Sequence, residues 1–168
     1  SAFYEGTDLT PWMDRLSVDL YRQTTDRLFN TYAILGPAPL LRLQTDSEDR
    51  QLTWGANLRA EMRLSDRSRT VVGLEYEDDR LTTDKFTLVP MSVTPVIRHD
   101  RAKITTFSVF AQHEIDLRPD LTFNLGGRWY DVSAKQRASV TNGEANPLAS
   151  NGDSLGMFST GLVWTPAE

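Results

Sequence analysis

The chain has 168 residues, a formal net charge of -5 spread along its length, and no cysteine. The acidic balance gives no footing to a nucleic-acid or polyanion partner, and the missing thiols exclude disulfides and thiolate zinc sites. No apolar run reaches the roughly 18 residues of a membrane-spanning helix, yet the mean hydropathy of -0.41 does not exclude a membrane β-barrel, whose interior-facing polar residues dilute every lipid-facing one.

The opening run, SAFYEGTDLTPW, has neither the basic nor the apolar region of a signal peptide. Residues 2–6 are expected to be part of a strand, and LTPWMD a short turn. Residues 16–21 then alternate, with Leu16, Val18 and Leu20 against Ser17, Asp19 and Tyr21. Residues 52–64, LTWGANLRAEMRL, carry the pattern furthest. Leu52, Trp54, Ala56, Leu58, Ala60, Met62 and Leu64 occupy one parity, and Thr53, Gly55, Asn57, Arg59, Glu61 and Arg63 the other. Ala, Leu and Met favour helix by propensity, but a period of two without a break is the mark of a strand with one apolar face. After SDRSR, residues 70–78 set Val72, Leu74 and Tyr76 against Gly73, Glu75 and Glu77. Residues 106–117 set Phe107, Val109, Ala111, Ile115 and Leu117 against Ser108, Gln112, Glu114 and Asp116, with Phe110 on the polar side and His113 on the apolar side as exceptions. Across RPD, residues 121–131 repeat the pattern, and residues 158–164 put Phe158, Thr160, Leu162 and Trp164 on one side.

The connections alternate between short and long. The long ones span about residues 28–49, 81–103 and 133–155 and hold Pro37, Pro39, Pro90, Pro95, Pro147 and the polar run TNGEANPLASNGD. Short turns at one end of a sheet and long connections at the other are the layout of an outer-membrane barrel, with short periplasmic turns and long extracellular loops. Residues 52–64 would extend near 40 Å at about 3.3 Å per residue, or roughly 30 Å of height when tilted. Trp54, Phe107 and Trp129 are expected at one height as an aromatic girdle, with Trp12 and Trp164 marking the opposite one. The predicted fold is therefore all-β: six to seven long strands in an antiparallel up-and-down transmembrane β-barrel segment, against a lipid bilayer.

FSVFAQHEIDLRPDLTFNLGGRWYD resembles the paired-strand signature of TonB-dependent outer-membrane receptors, and DRLSVDLYRQTTDRLF and LGMFSTGLVWTP resemble neighbouring strands of the same family. The resemblance implies a barrel of about 22 strands filled by a plug domain, in the bacterial outer membrane. It further implies uptake of a scarce large nutrient, haem or a ferric siderophore, driven by TonB, ExbB and ExbD. No plug or TonB box is visible, and the last residues are not the terminal aromatic of a whole barrel. Residues 1–168 are thus expected to be a partial wall of a larger receptor. A small closed barrel with a structural or adhesion role and a soluble β-sandwich binding module stay open as alternatives.

No HExxH, GxSxG or P-loop motif occurs, so no enzyme, resident cofactor or metal site is expected. Barrel lipases resemble one another in an outward His-x-Ser pair, but His113 is followed two residues on by Ile115. His99, in VIRHDRAK, has the imidazole of an axial haem ligand, with a solvated loop histidine as the plainer reading. Tyr32 and Arg42 lie within the unusually apolar loop LFNTYAILGPAPLLRL, which is expected either to touch a ligand or a carrier protein or only to pack on adjacent loops, and with His99 they are the candidates for ligand contact. Glu75, Glu77, Asp78, Asp79 and Asp84 gather near a strand end without the spacing of a calcium loop. Arg59, Glu61, Arg63, Glu114 and Arg128 are expected to face the lumen.

Overall fold

The computed structural model describes residues 1–36, 41–89 and 94–165. Among them there is no helix. The strands are β1 (Ala2–Thr10), β2 (Met13–Leu35), β3 (Leu41–Ser65), β4 (Ser68–Leu88), β5 (Val96–Arg118), β6 (Leu121–Thr141), the two-residue β7 (Glu144–Ala145) and β8 (Ser150–Trp164). They form one antiparallel sheet in the order β1-β2-β3-β4-β5-β6, with β7 and β8 both paired to β6. Each long strand pairs with its neighbours in sequence, as two-residue turns at 11–12, 66–67 and 119–120 require. The sheet is not closed: β1 and β8 are each paired along one side.

The register makes the alternation of the sequence a property of the whole sheet. Val18 faces Leu58, Leu58 faces Leu74, Leu74 faces Val109, and Val109 faces Trp129. One residue along, Asp19, Asn57, Glu75, Ser108 and Tyr130 form the matching row of the other face. Nothing covers the apolar side. Phe158 is 91 % exposed and Leu162 65 %, and among the described residues Ala60 is the sole buried hydrophobic. A soluble sandwich needs a second sheet over this face, so that alternative finds no support, and the open edges likewise give none to a small closed barrel.

Phe107 and Trp129 touch edge to face, with ring centroids 6.2 Å apart. They do not share a hydrogen-bonded row with Trp54. Phe107 aligns through Tyr76 with Ala56, and Trp129 aligns through Val109 and Leu74 with Leu58, each further toward the turns than Trp54. The turns step the same way: Ser68, just after the β3–β4 turn, faces Ile115, and β5 continues to Arg118 before turning. In a barrel of tilted strands, hydrogen-bonded rows run obliquely to the axis, so side chains at one height are offset in register.

The long connections differ most from the expectation. β2 and β3 stay paired out to Leu35 and Leu41, β4 and β5 out to Thr87 and Val96, and β6 and β8 out to Lys135 and Ser150. The excursions are ladders that continue the sheet past its apolar band. Beyond that band polar and apolar residues mix on both faces, with Leu28, Phe29, Ile34, Phe86 and Ile97 among charged and hydroxyl side chains, so no hydrophobic period marks the strands. Pro37, Pro39 and Pro90, and the centre of the apolar loop with them, lie outside the described residues. Within TNGEANPLASNGD, Asn142 and Gly143 have φ of 51° and 88° and close the β6–β7 hairpin, the geometry an Asn-Gly pair supplies.

Candidate functional site

The polar face carries the chemistry. Its centre begins with Gly73, which faces Phe110 across the β4–β5 ladder. The Phe110 ring lies over the glycine and leaves no room for a Cβ. This explains why a large aromatic breaks the alternation there: it fills the place of a missing side chain. The ring then becomes a platform. The Arg128 guanidinium sits 5.3 Å from the Phe110 ring centroid and 4.6 Å from that of Tyr130, within cation–π range. Arg128 Nη2 is ion-paired with Glu75 Oε2 and donates to Ser108 Oγ at 3.0 Å. Ser108 in turn donates to Glu75 Oε2 at 3.1 Å and is 1 % exposed. One arginine thus ties β4, β5 and β6 together.

Further from the turns the same face becomes acidic. Asp19, Glu75, Glu77 and Asp79 share it, with the Tyr21 ring lying over Gly55 as Phe110 lies over Gly73. Asp79 accepts hydrogen bonds from Gln51, at 3.0 Å, and from Thr53. Toward the turns the charges alternate: Arg59 pairs with Glu61 at 3.2 Å and Arg63 with Asp14 at 3.3 Å. A hollow of about 170 Å³ there is lined by Arg63, Arg67, Arg69, Glu114 and Asp116. All five residues expected in the lumen, Arg59, Glu61, Arg63, Glu114 and Arg128, therefore lie on this one face.

The other candidates distribute differently. Asp78 and Asp84 fall on the opposite parity to Glu75, Glu77 and Asp79, so the five carboxylates do not converge. Among the described residues no group of three or more His, Asp or Glu could hold a metal ion. His99 is on the β4–β5 extension, its Nδ1 at 2.5 Å from Asp84 Oδ1. Arg42 lies over the Tyr32 ring at 5.8 Å on the β2–β3 extension. By register, Tyr32, Arg42 and His99 all continue the apolar parity. His113 is on the apolar face, its Nδ1 at 2.7 Å from Thr70 Oγ1. Of the aromatics proposed as girdles, Trp12 sits in the β1–β2 turn, and Trp164 Nε1 donates to Asp120 Oδ2 at 3.1 Å beside the β5–β6 turn. Ser108, Tyr21 and Tyr130 were not singled out by sequence reasoning. Their roles depend on which residues face them across the ladder, which no local pattern shows.

A sheet of long antiparallel strands, apolar on one side and charged on the other, is the wall of a transmembrane up-and-down β-barrel. The chain belongs to the TonB dependent receptor-like β-barrel family, which it matches over residues 2–168. No curated protein matches it. Among solved structures it is similar to the ferric yersiniabactin uptake receptor FyuA from Yersinia pestis, at 14 % identity with a TM-score of 0.66, over 95 % of this chain and 24 % of that one. It is similar also to the copper transporter OprC, at 15 % identity with a TM-score of 0.71, over 99 % of this chain and 27 % of that one. A third is the ferric-catecholate import receptor Fiu from E. coli K12, at 15 % identity with a TM-score of 0.61, over 99 % of this chain and 32 % of that one. The chain thus spans about a quarter to a third of the length of the structures it matches. The family consists of receptors and transporters that are outer-membrane β-barrels of Gram-negative bacteria.

Proposed function

We propose that these residues form part of the wall of a larger outer-membrane transporter that imports a ferric siderophore or haem, powered by TonB with ExbB and ExbD, and that they do no catalysis. The observation that carries this reading is the polar face: a continuous strip of paired charges and hydrogen bonds from the turn end to the acidic column. Such a strip suits a lumen filled by a polar domain and traversed by a polar cargo. The two ferric-siderophore receptors among the similar structures support iron chelates as the cargo class, and the copper transporter supports a metal cargo more broadly. In this reading Arg59, Glu61, Arg63, Glu114 and Arg128 line the lumen, and Trp54, Phe107, Trp129, Trp12 and Trp164 sit at the two membrane interfaces. Tyr32, Arg42 and His99 stand on the hairpin extensions, where they would meet a ligand outside the membrane.

The test is uptake by cells carrying the intact protein. Labelled ferric siderophores, haem and copper are supplied in turn, with and without TonB. Accumulation of a ferric siderophore or haem that disappears without TonB is the expected result. Copper alone accumulating would replace the cargo, and TonB-independent passage of small solutes would replace the mechanism with a pore.

A further inference from the structure

Just past the aromatic rows, the apolar face changes character. Beyond Trp54 and Phe107 the same parity carries Arg80, Lys103 and Lys135 in one row and Arg101 in the next. The β5–β6 ladder is irregular at this place: Arg101 faces Ala138 while Ala102 faces Gln136, which leaves Arg137 as an extra residue in β6. This bulge brings Arg137 to the same groove, a hollow of about 460 Å³ lined by Arg80, Thr82, Arg101, Lys103 and Arg137 among others. Bulges commonly re-aim a side chain in this way.

One carboxylate organises the groove. Asp78 is 6 % exposed, accepts a hydrogen bond from Arg80 Nε at 3.1 Å and is ion-paired with Lys103. It holds two cations side by side and neutralises one charge. Arg101, Lys135 and Arg137 have no carboxylate partner among the described residues. Five cations against one carboxylate leave this patch net positive in a chain whose formal charge is -5. Cations gathered this closely repel one another unless an anion joins them.

The height of the groove says which anion. On β3 its row is one outward-facing residue beyond Trp54, and on β5 Lys103 is two beyond Phe107, so the groove stands about 5–10 Å above the aromatics on tilted strands. Headgroup layers add roughly 5–7 Å to each side of the hydrocarbon core. The groove is on the side of the paired extensions, away from the short turns, and on the outer surface of the wall. We infer that this groove, lined by Arg80, Arg101, Lys103 and Arg137, is a binding site for the phosphate groups of an anionic lipid headgroup in the leaflet that surrounds the barrel. Bound phosphate would complete the charge arrangement that Asp78 begins, and the acyl chains below would lie along the apolar band past Trp54. This inference rests on the reading that the apolar face meets lipid.

The test uses the intact protein purified in a neutral detergent. Binding of a bis-phosphorylated glycolipid is compared with that of the same lipid after dephosphorylation and with phosphatidylcholine, each with and without an excess of inorganic phosphate. The expected result is preference for the phosphorylated lipid, undisturbed by inorganic phosphate. The double variant Arg101→Gln/Arg137→Gln should weaken that binding by about tenfold or more, and Arg101→Lys/Arg137→Lys should restore most of it. Heat-modifiable migration on a gel checks that each variant folds. Equal binding of the phosphorylated and dephosphorylated lipids, or no change in a folded glutamine variant, overturns the site. Competition by inorganic phosphate would assign the groove to free anions and overturn the lipid. Protein that stays in solution without detergent overturns the lipid-facing reading itself, a separate outcome from failure of the groove.

Discussion

At the scale of single residues, neighbouring positions in β3 meet opposite surroundings. Leu58 belongs to the apolar row Val18–Leu58–Leu74, while Arg59 on the polar face pairs with Glu61. Leu58→Arg puts a charge into hydrocarbon and should destabilise the intact barrel by about 2–4 kcal/mol, whereas Arg59→Leu loses one half-exposed ion pair and should cost about 1 kcal/mol or less. Folding titrations in lipid vesicles measure both, and equal costs would mean the two faces are assigned wrongly. Gly73 makes a second case. Any side chain there must displace the Phe110 ring and, with it, the platform under Arg128. Gly73→Val should cost about 1–3 kcal/mol, and combining it with Phe110→Ala should recover part of the loss. Strict additivity in that double-mutant cycle would show that ring and glycine are not coupled.

Among the elements, the hairpin extensions are where alternation stops being informative. β4 reads as a strand over residues 70–78 because Val72, Leu74 and Tyr76 alternate with Gly73, Glu75 and Glu77. It continues to Leu88 through Glu-Asp-Asp-Arg-Leu-Thr-Thr-Asp-Lys, where both faces carry charged and hydroxyl side chains and neither keeps an apolar period. What holds the extension is the ladder to β3 and β5, including the Thr45–Thr87 hydroxyl contact at 3.2 Å. The β6–β7 hairpin is legible from Asn142-Gly143, an Asn-Gly pair whose preferred turn has positive φ at both residues. Gly143→Val forces a β-branched residue into that region at about 1–2 kcal/mol. The loss should be local: faster proteolytic cleavage between residues 136 and 149 with global unfolding in lipid unchanged. A matching loss of global stability would mean that the extension is part of the cooperative unit.

For the molecule as a whole, the open edges dominate. β8 presents a free edge along Ser150–Trp164, and β1 another along Ala2–Thr10. Unpaired backbone groups in hydrocarbon cost several kcal/mol each, so a membrane sheet must close or find partners. Residues 1–168 refolded by themselves into vesicles should therefore aggregate or associate through these edges, with no compact, heat-modifiable monomer. A stable monomer of that kind would show that these strands close on themselves.

The family resemblance rests on runs such as FSVFAQHEIDLRPDLTFNLGGRWYD; that the chain is β, which residues share a face and where the short turns fall are legible without it. Each of these follows from a period of two or a turn of a few residues, signals that lie within about ten positions of one another. Strand register, and everything that depends on it, is visible only in the folded sheet. Phe110 looked like an exception until Gly73 was found across from it, and Arg128 was one lumen charge among five until Glu75 and Ser108 met it from two other strands. The carboxylates that looked like one cluster, Glu75 to Asp84, separated onto opposite faces because adjacent positions on a strand point apart. Arg80, Lys103, Arg101 and Arg137 are scattered over 58 positions of the chain, and only a three-strand ladder with a bulge in it makes them neighbours. Contacts between strands are set by pairing over long sequence separations, and a local pattern carries no information about its partner.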